Sequence, residues 1–156
     1  MCLRCDRISA TICHNEHIQS QGAAQQLSLD FTNIVASCQS KKHFGHYKGD
    51  GVITLTPLMT ECESEIRYNL NGNITHTTPR AQNFISVLGL RTKGLGYKRK
   101  KLVELLIFDQ IGGEELIVLD NELLELLIAD LLAPSQDQKL EAFSPILARI
   151  LSRFIS

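Results

Sequence analysis

The side chains best able to hold a soft metal crowd the start of the chain. Of five cysteines and five histidines, Cys2, Cys5, Cys13, Cys38, His14, His17, His43 and His46 all fall within the first 46 residues. Zinc takes four sulfur or imidazole ligands in a tetrahedron, commonly as two short-spaced pairs. Cys2-x2-Cys5 is one such pair and Cys13-x3-His17 a second, with Cys38, His43 and His46 as further donors. The interval between the pairs is short for a two-knuckle site, and Met1 adjoins the first ligand, where termini fray. The expectation is therefore free thiols, surface imidazoles and no cofactor, with zinc held by Cys2, Cys5, Cys13 and His17 as the alternative.

A second concentration of chemistry is electrostatic. Arg91, Lys93, Lys98, Arg99, Lys100 and Lys101 put six basic side chains and no acidic one into an 11-residue run, 91–101. On a glycine-containing loop they can meet several phosphates, with Tyr97 stacking on a base. No helix-turn-helix or RNP signature accompanies them. Residues 102–132 reverse the balance, with eight acidic side chains and no basic one, so the basic run also serves to neutralise its neighbour.

Covalent catalysis finds little support. The chain has no G-x-S-x-G elbow, no P-loop and no H-E-x-x-H. Cys62 lies between Glu61 and Glu63, whose charge disfavours a thiolate. Gly112-Gly113-Glu114-Glu115-Leu116 resembles the GGDEF or GGEEF turn of diguanylate cyclases, and Gly45-His46-Tyr47-Lys48-Gly49-Asp50 resembles their GHxxGD segment. That resemblance implies a nucleotide-binding turn with a metal-holding carboxylate. Leu116 replaces the expected aromatic, no arginine precedes the turn, and the DxDxF strand is missing. A glycine pair in a tight turn accounts for the motif more simply, and the expectation is a protein that is not an enzyme.

These groups need a frame. The chain has 156 residues, 44% hydrophobic and 21% charged, with a net charge of −1, enough for one folded domain with a buried core. No run of 18 uncharged apolar residues suggests a membrane span. Residues 1–20 have no apolar leader, so the expected compartment is the cytoplasm. Leu27, Phe31, Ile34, Val35 and Cys38 follow helical spacing and predict an N-terminal helix of about five turns. Val52–Thr56 alternates like a strand, and Asn71-Gly72 predicts a type I′ hairpin between 65–70 and 73–77, with His76 half-buried in its second strand.

Thr78-Pro79 opens a central helix that Gly89 closes. Two apolar strands, 102–108 and 115–119, flank Gly112-Gly113. Asp120 caps a leucine-rich helix stopped by Pro134, and Ser144-Pro145 starts a last one. The expected fold is α+β: an antiparallel sheet of about five strands with N-terminal, central and two C-terminal helices. The expected organisation is a Cys/His-rich segment, 1–19, followed by a single α+β domain, 20–156.

This element order resembles class I type III secretion chaperones, through the Asn71-Gly72 hairpin, the helix after Pro79, the strands around Gly112-Gly113 and the helix from Asp120. The resemblance implies a small cytoplasmic dimer that holds an extended polypeptide on apolar patches. Leucine covers so much of helix 120–132 that another chain is expected to cover it in part. The expected function is thus a non-catalytic protein-binding module, a homodimeric adaptor using Leu123, Leu124, Leu127, Leu131, Ile146, Ile150 and Phe154. The alternative is a nucleic-acid-binding regulator using Arg91, Lys93, Tyr97, Lys98, Arg99, Lys100 and Lys101.

Overall fold

Short polar side chains decide the first third of the fold. Asp30 accepts from the Thr32 amide at 2.8 Å and from its hydroxyl at 2.7 Å. Asn33, buried, donates through its amide nitrogen to the carbonyls of Gln19 and Leu27 and accepts from the Gln19 amide. Such bonds compete with helical ones, and the expected helix over 20–38 does not form. In its place stand two 3₁₀ turns, Gln25–Leu27 and Phe31–Asn33, then strand β2, Ile34–Cys38, which pairs antiparallel with β1, Cys13–His17. Ile34-Val35, β-branched, suits the strand, and Leu29 and Phe31 are left on the surface.

The computed structural model describes residues 13–38, 45–106, 120–136, 140–141 and 143–155, and the chain there is α+β. After β2 come α1, Gly45–Lys48; α2, Glu61–Glu65; β3, Ile66–Tyr68; β4, Ile74–His76; α3, Pro79–Val87; α4, Lys93–Leu105; α5, Asn121–Leu132; and α6, Ser144–Leu151. Among the described residues the strands form two two-stranded sheets, β1–β2 and β3–β4, rather than one of five strands. Contacts divide the described residues into two units. One holds 13–67 and 74–93, the other 68–73 and 94–155.

In the first unit, residues 52–56 keep the expected alternation, with Ile53 and Leu55 buried and Val52 and Thr54 exposed, but form no strand. Thr56 instead opens a turn, its carbonyl accepting from the Met59 amide. Helix α3 starts where expected. Thr78 accepts from the Ala81 amide, Pro79 takes the first turn, and Gly89 follows the helix with a φ of +61°. Glu65 anchors this end: it accepts from Arg80 and from the Thr78 hydroxyl while itself almost buried.

The hairpin forms, with a different turn. The Gly72 amide donates to the Asn69 carbonyl at 2.9 Å, and the Asn69 amide to the Asn73 carbonyl at 2.9 Å. Only Gly72 has positive φ there, at +78°, so the loop is a three-residue one closed by a left-handed glycine, not a type I′ pair. In the second unit, α4 replaces both the expected basic loop and the beginning of the expected strand over 102–108. Lysine, leucine, glutamate and arginine favour helix, and Lys100 and Lys101 both reach Glu104, at 3.5 and 3.2 Å. Leu95, Arg99 and Val103 form its buried stripe, and Leu106, just past its end, is buried too. Residues 107–119, including Gly112–Leu116 and the expected strand 115–119, lie outside the described residues.

Candidate functional site

Helix α5 begins on Asp120, whose carboxylate accepts from the Leu123 amide at 2.7 Å. Glu122 in the first turn complements the helix dipole. The helix then places leucine or isoleucine at 123, 124, 126, 127, 128, 131 and 132, more than one face can bury. Leu124 is fully buried, and Leu127, Ile128 and Leu131, three, four and seven residues on, continue that side half-buried. Helix α6 packs against α5 and presents a single apolar stripe, with Ile146, Leu147, Ala148, Ile150 and Leu151 all buried.

The rest of α5 is bare. Leu123, Leu126 and Leu132 remain 40%, 68% and 46% exposed. Successive helical residues turn by 100°, so Leu126 stands 200° round from Leu124 and cannot share its contacts. Glu122, Glu125 and Asp130 are exposed among these leucines. Leu123 and Leu126 therefore form one oily, acid-fringed side, and Leu132 lies well round the helix from both.

Of the residues expected to meet a partner, Leu124, Ile146 and Ile150 are core residues of the second unit and offer nothing to solvent. Leu123 is exposed, Leu127 and Leu131 are half-buried, and Phe154 is half-buried at an open cavity of about 460 Å³ that Tyr68, Leu70, Ile150 and Arg153 also line. Leu126 and Leu132, absent from that set, are more exposed than any member of it. The two-residue offset of Leu126 from Leu124 is the signal that marks it; Leu132 is exposed as the last residue of α5.

The basic residues divide. Arg99 is turned inward at 2% exposure, its Nη1 donating to the Gly72 carbonyl, so it is not available to phosphate. Arg91 donates to the Ile74 carbonyl and lies 3.2 Å from His76, which is half-buried as its strand position requires. Lys93 starts α4, and Tyr97, Lys98, Lys100 and Lys101 are exposed along it. Lys101 lies 6.0 Å from the Tyr97 ring centre.

The proposed metal ligands are not drawn together by what is described. Cys2 and Cys5 lie outside the described residues. Cys13 and His17 open and close one strand, so their α-carbons stand roughly 13 Å apart. That is a long reach for two ligands sharing one tetrahedral ion through bonds of about 2.1–2.3 Å. Among the described residues, no group of three or more His, Cys, Asp or Glu is placed to hold a metal.

Two further polar clusters are structural in character. Glu16 meets His14 at 3.2 Å and the almost fully buried Lys48 at 3.7 Å, and Lys48 also donates to the Gly49 carbonyl. Cys62 is buried, and burial, reinforced by Glu63 and Glu65, pushes its thiol up to about 11. At neutral pH it stays protonated and is no nucleophile.

Comparison with known proteins assigns no family. No protein-family model matches the chain, and no curated protein matches its sequence. Among the described residues no helix is long and apolar enough to cross a membrane.

Proposed function

We propose that the chain is a non-catalytic protein-binding module that associates with a second copy of itself through α5, in the manner of a dimeric secretion-chaperone-like adaptor. One observation carries this reading: Leu123 and Leu126, neighbours on one side of α5, face water away from the buried Leu124, and Leu132 is exposed at the end of the helix. A two-fold contact lays such a stripe against itself, so one surface supplies both halves of the interface. Each leucine fully removed from water stabilises the contact by about 1.5–3 kcal/mol. Association costs about 4 kcal/mol or more in lost freedom, so a dimer resting on α5 alone is weak and concentration-dependent.

Sedimentation equilibrium over low to high micromolar concentration tests it. The natural chain should shift from monomer toward dimer, and Leu126→Asp should hold the monomer with unchanged circular dichroism. A natural chain that stays monomeric across that range rules the reading out.

The exposed row of Tyr97, Lys98, Lys100 and Lys101 supports a second reading, contact with nucleic acid along α4. Glu104 already neutralises part of that charge, which makes it the weaker of the two. Fluorescence anisotropy at low salt, comparing the natural chain with a Lys98→Ala, Lys100→Ala, Lys101→Ala variant, tests it. Equal signals from both proteins dismiss it.

A further inference from the structure

The β1–β2 ladder sets Cys13 directly opposite Cys38, with Asn15 opposite Ala36 and His17 opposite Ile34. The phase of the ladder follows from one bond beyond its end. The Ile18 amide donates to the Asn33 carbonyl at 2.8 Å, and 18 and 33 continue the same register. That makes 18 and 33 a hydrogen-bonded pair, and such pairs alternate with non-hydrogen-bonded ones. Counting back along β1, positions 16 and 14 are hydrogen-bonded pairs, and 17, 15 and 13 are not.

Cys13 and Cys38 therefore occupy a non-hydrogen-bonded pair. There opposed α-carbons lie about 4.5 Å apart, inside the roughly 4.4–6.8 Å window that a disulfide spans. At a hydrogen-bonded pair the backbones stand about 5.5 Å apart and the opposed side chains are less close. Asn15 and Ala36, the next pair of the same parity along the ladder, are exposed.

We propose that Cys13 and Cys38 are a redox-active cross-strand pair that closes to a disulfide by exchange with a low-molecular-weight disulfide such as oxidised glutathione. One protein thiolate attacks a sulfur of the small disulfide, breaking its S–S bond, joining it to the protein and releasing one small thiolate. The second protein thiolate attacks the protein-bound sulfur, forming the Cys13–Cys38 bond and releasing the second. The two protons lost by the cysteines end on the two departing thiols. The protein dithiol is oxidised by two electrons, and the small disulfide is reduced by two. Closure staples the two strands, and reduction by a small thiol reverses it.

The test uses the full chain in glutathione buffers running from fully reduced to fully oxidised, quenched by acid and alkylated. Cleavage after Glu16 separates the two cysteines, and mass spectrometry then reads how they are joined. The expected result is a linked Cys13–Cys38 fragment pair that grows with oxidation and vanishes with dithiothreitol. Cys62, buried and protonated, should be recovered alkylated after unfolding in every buffer. In Cys38→Ser, Cys13 should instead carry glutathione. Amide hydrogen exchange across 13–17 and 34–38 should slow on oxidation of the natural chain. Recovery of Cys13 and Cys38 both alkylated in the oxidised buffers, or of Cys13 joined to Cys2 or Cys5 rather than Cys38, overturns the proposal.

Discussion

The Arg99 guanidinium carbon lies 5.5 Å from the centre of the Tyr68 ring, while Nη1 of the same side chain donates to the Gly72 carbonyl at 3.2 Å. A cation in the midst of a basic run thus serves as an internal strut, tying α4 to the hairpin loop. Arg153, just past α6, donates to the Tyr68 carbonyl at 3.0 Å. Two arginines, one from α4 and one just past α6, therefore hold one short stretch of chain, 68–72.

Removing that strut should cost more than its position in a lysine-rich segment suggests. Arg99→Ala leaves the buried Gly72 carbonyl without this donor and opens a space beside Tyr68. We expect a loss of about 2–4 kcal/mol, from the charged hydrogen bond and the lost packing together. Arg99→Lys should recover little of it, because an ammonium neither stacks nor forks like a guanidinium. Urea titration of the three proteins measures this. Lys98→Ala, on the exposed side of the same helix, should change stability by less than about 0.5 kcal/mol.

Stability should also fall in acid through Glu65. Its hydrogen bond with Arg80, then that with the Thr78 hydroxyl, holds its carboxyl below the ordinary value of 4.5. A carboxylate with a lowered folded pKa contributes stability that is complete above the unfolded value and lost as pH falls through the folded one. The loss attributable to Glu65 thus begins near pH 4.5 and deepens below it. Thermal melts from pH 7 to pH 3 should show Glu65→Gln less stable than the natural chain at pH 7, with a shallower decline in acid. Parallel declines in both proteins would assign the acid sensitivity elsewhere.

Gly72 and Gly94 make a matched pair of opposite sign. At Gly72, φ is +78°, and an added β-carbon would stand 2.7 Å from the Lys100 amide nitrogen and run into the Gly96 carbonyl oxygen. Backbone cannot give way as a flexible side chain does, so Gly72→Ala should lose about 2 kcal/mol or more. At Gly94, in the first turn of α4, a β-carbon meets nothing within 4 Å. Gly94→Ala should stabilise by up to about 1 kcal/mol, because alanine gives up less freedom in a helix. Paired denaturation curves read both changes.

What the sequence discloses of this fold follows from how local each signal is. Thr78-Pro79, Asp120 and Ser144-Pro145 mark true helix starts, because caps and N-terminal prolines act within a few residues. The 20–38 segment misleads because its apolar spacing is helical while Asp30 and Asn33 redirect its backbone through side-chain bonds. Periodicity does not register such bonds. Arg99 hides α4 for a different reason: it fills a core position between Leu95 and Val103 that hydrophobic patterns leave blank. The oily character of α5 is plain in its composition. Which leucines face water depends on where α6 lies, and that is a tertiary fact.

The sign of a salt effect separates self-association from capture of a different partner. Glu122, Glu125 and Asp130 fringe the exposed leucines, and α5 carries no lysine or arginine. In any two-fold contact through α5 these carboxylates recur on both sides and repel. Added salt screens that repulsion, whose range shrinks from about 10 Å at 0.1 M to about 3 Å at 1 M. Dimerisation should therefore tighten as sodium chloride rises from 0.05 to about 0.5 M. A partner selected for basic residues should instead be released by the same change. Glu125→Gln should raise dimer affinity at low salt and flatten the salt dependence, while Leu126→Asp should abolish the dimer at every salt concentration. Sedimentation of the three proteins across the salt series measures all of this. A dimer that loosens with salt would mean that opposite charges hold it, which α5 packed on its own copy cannot supply.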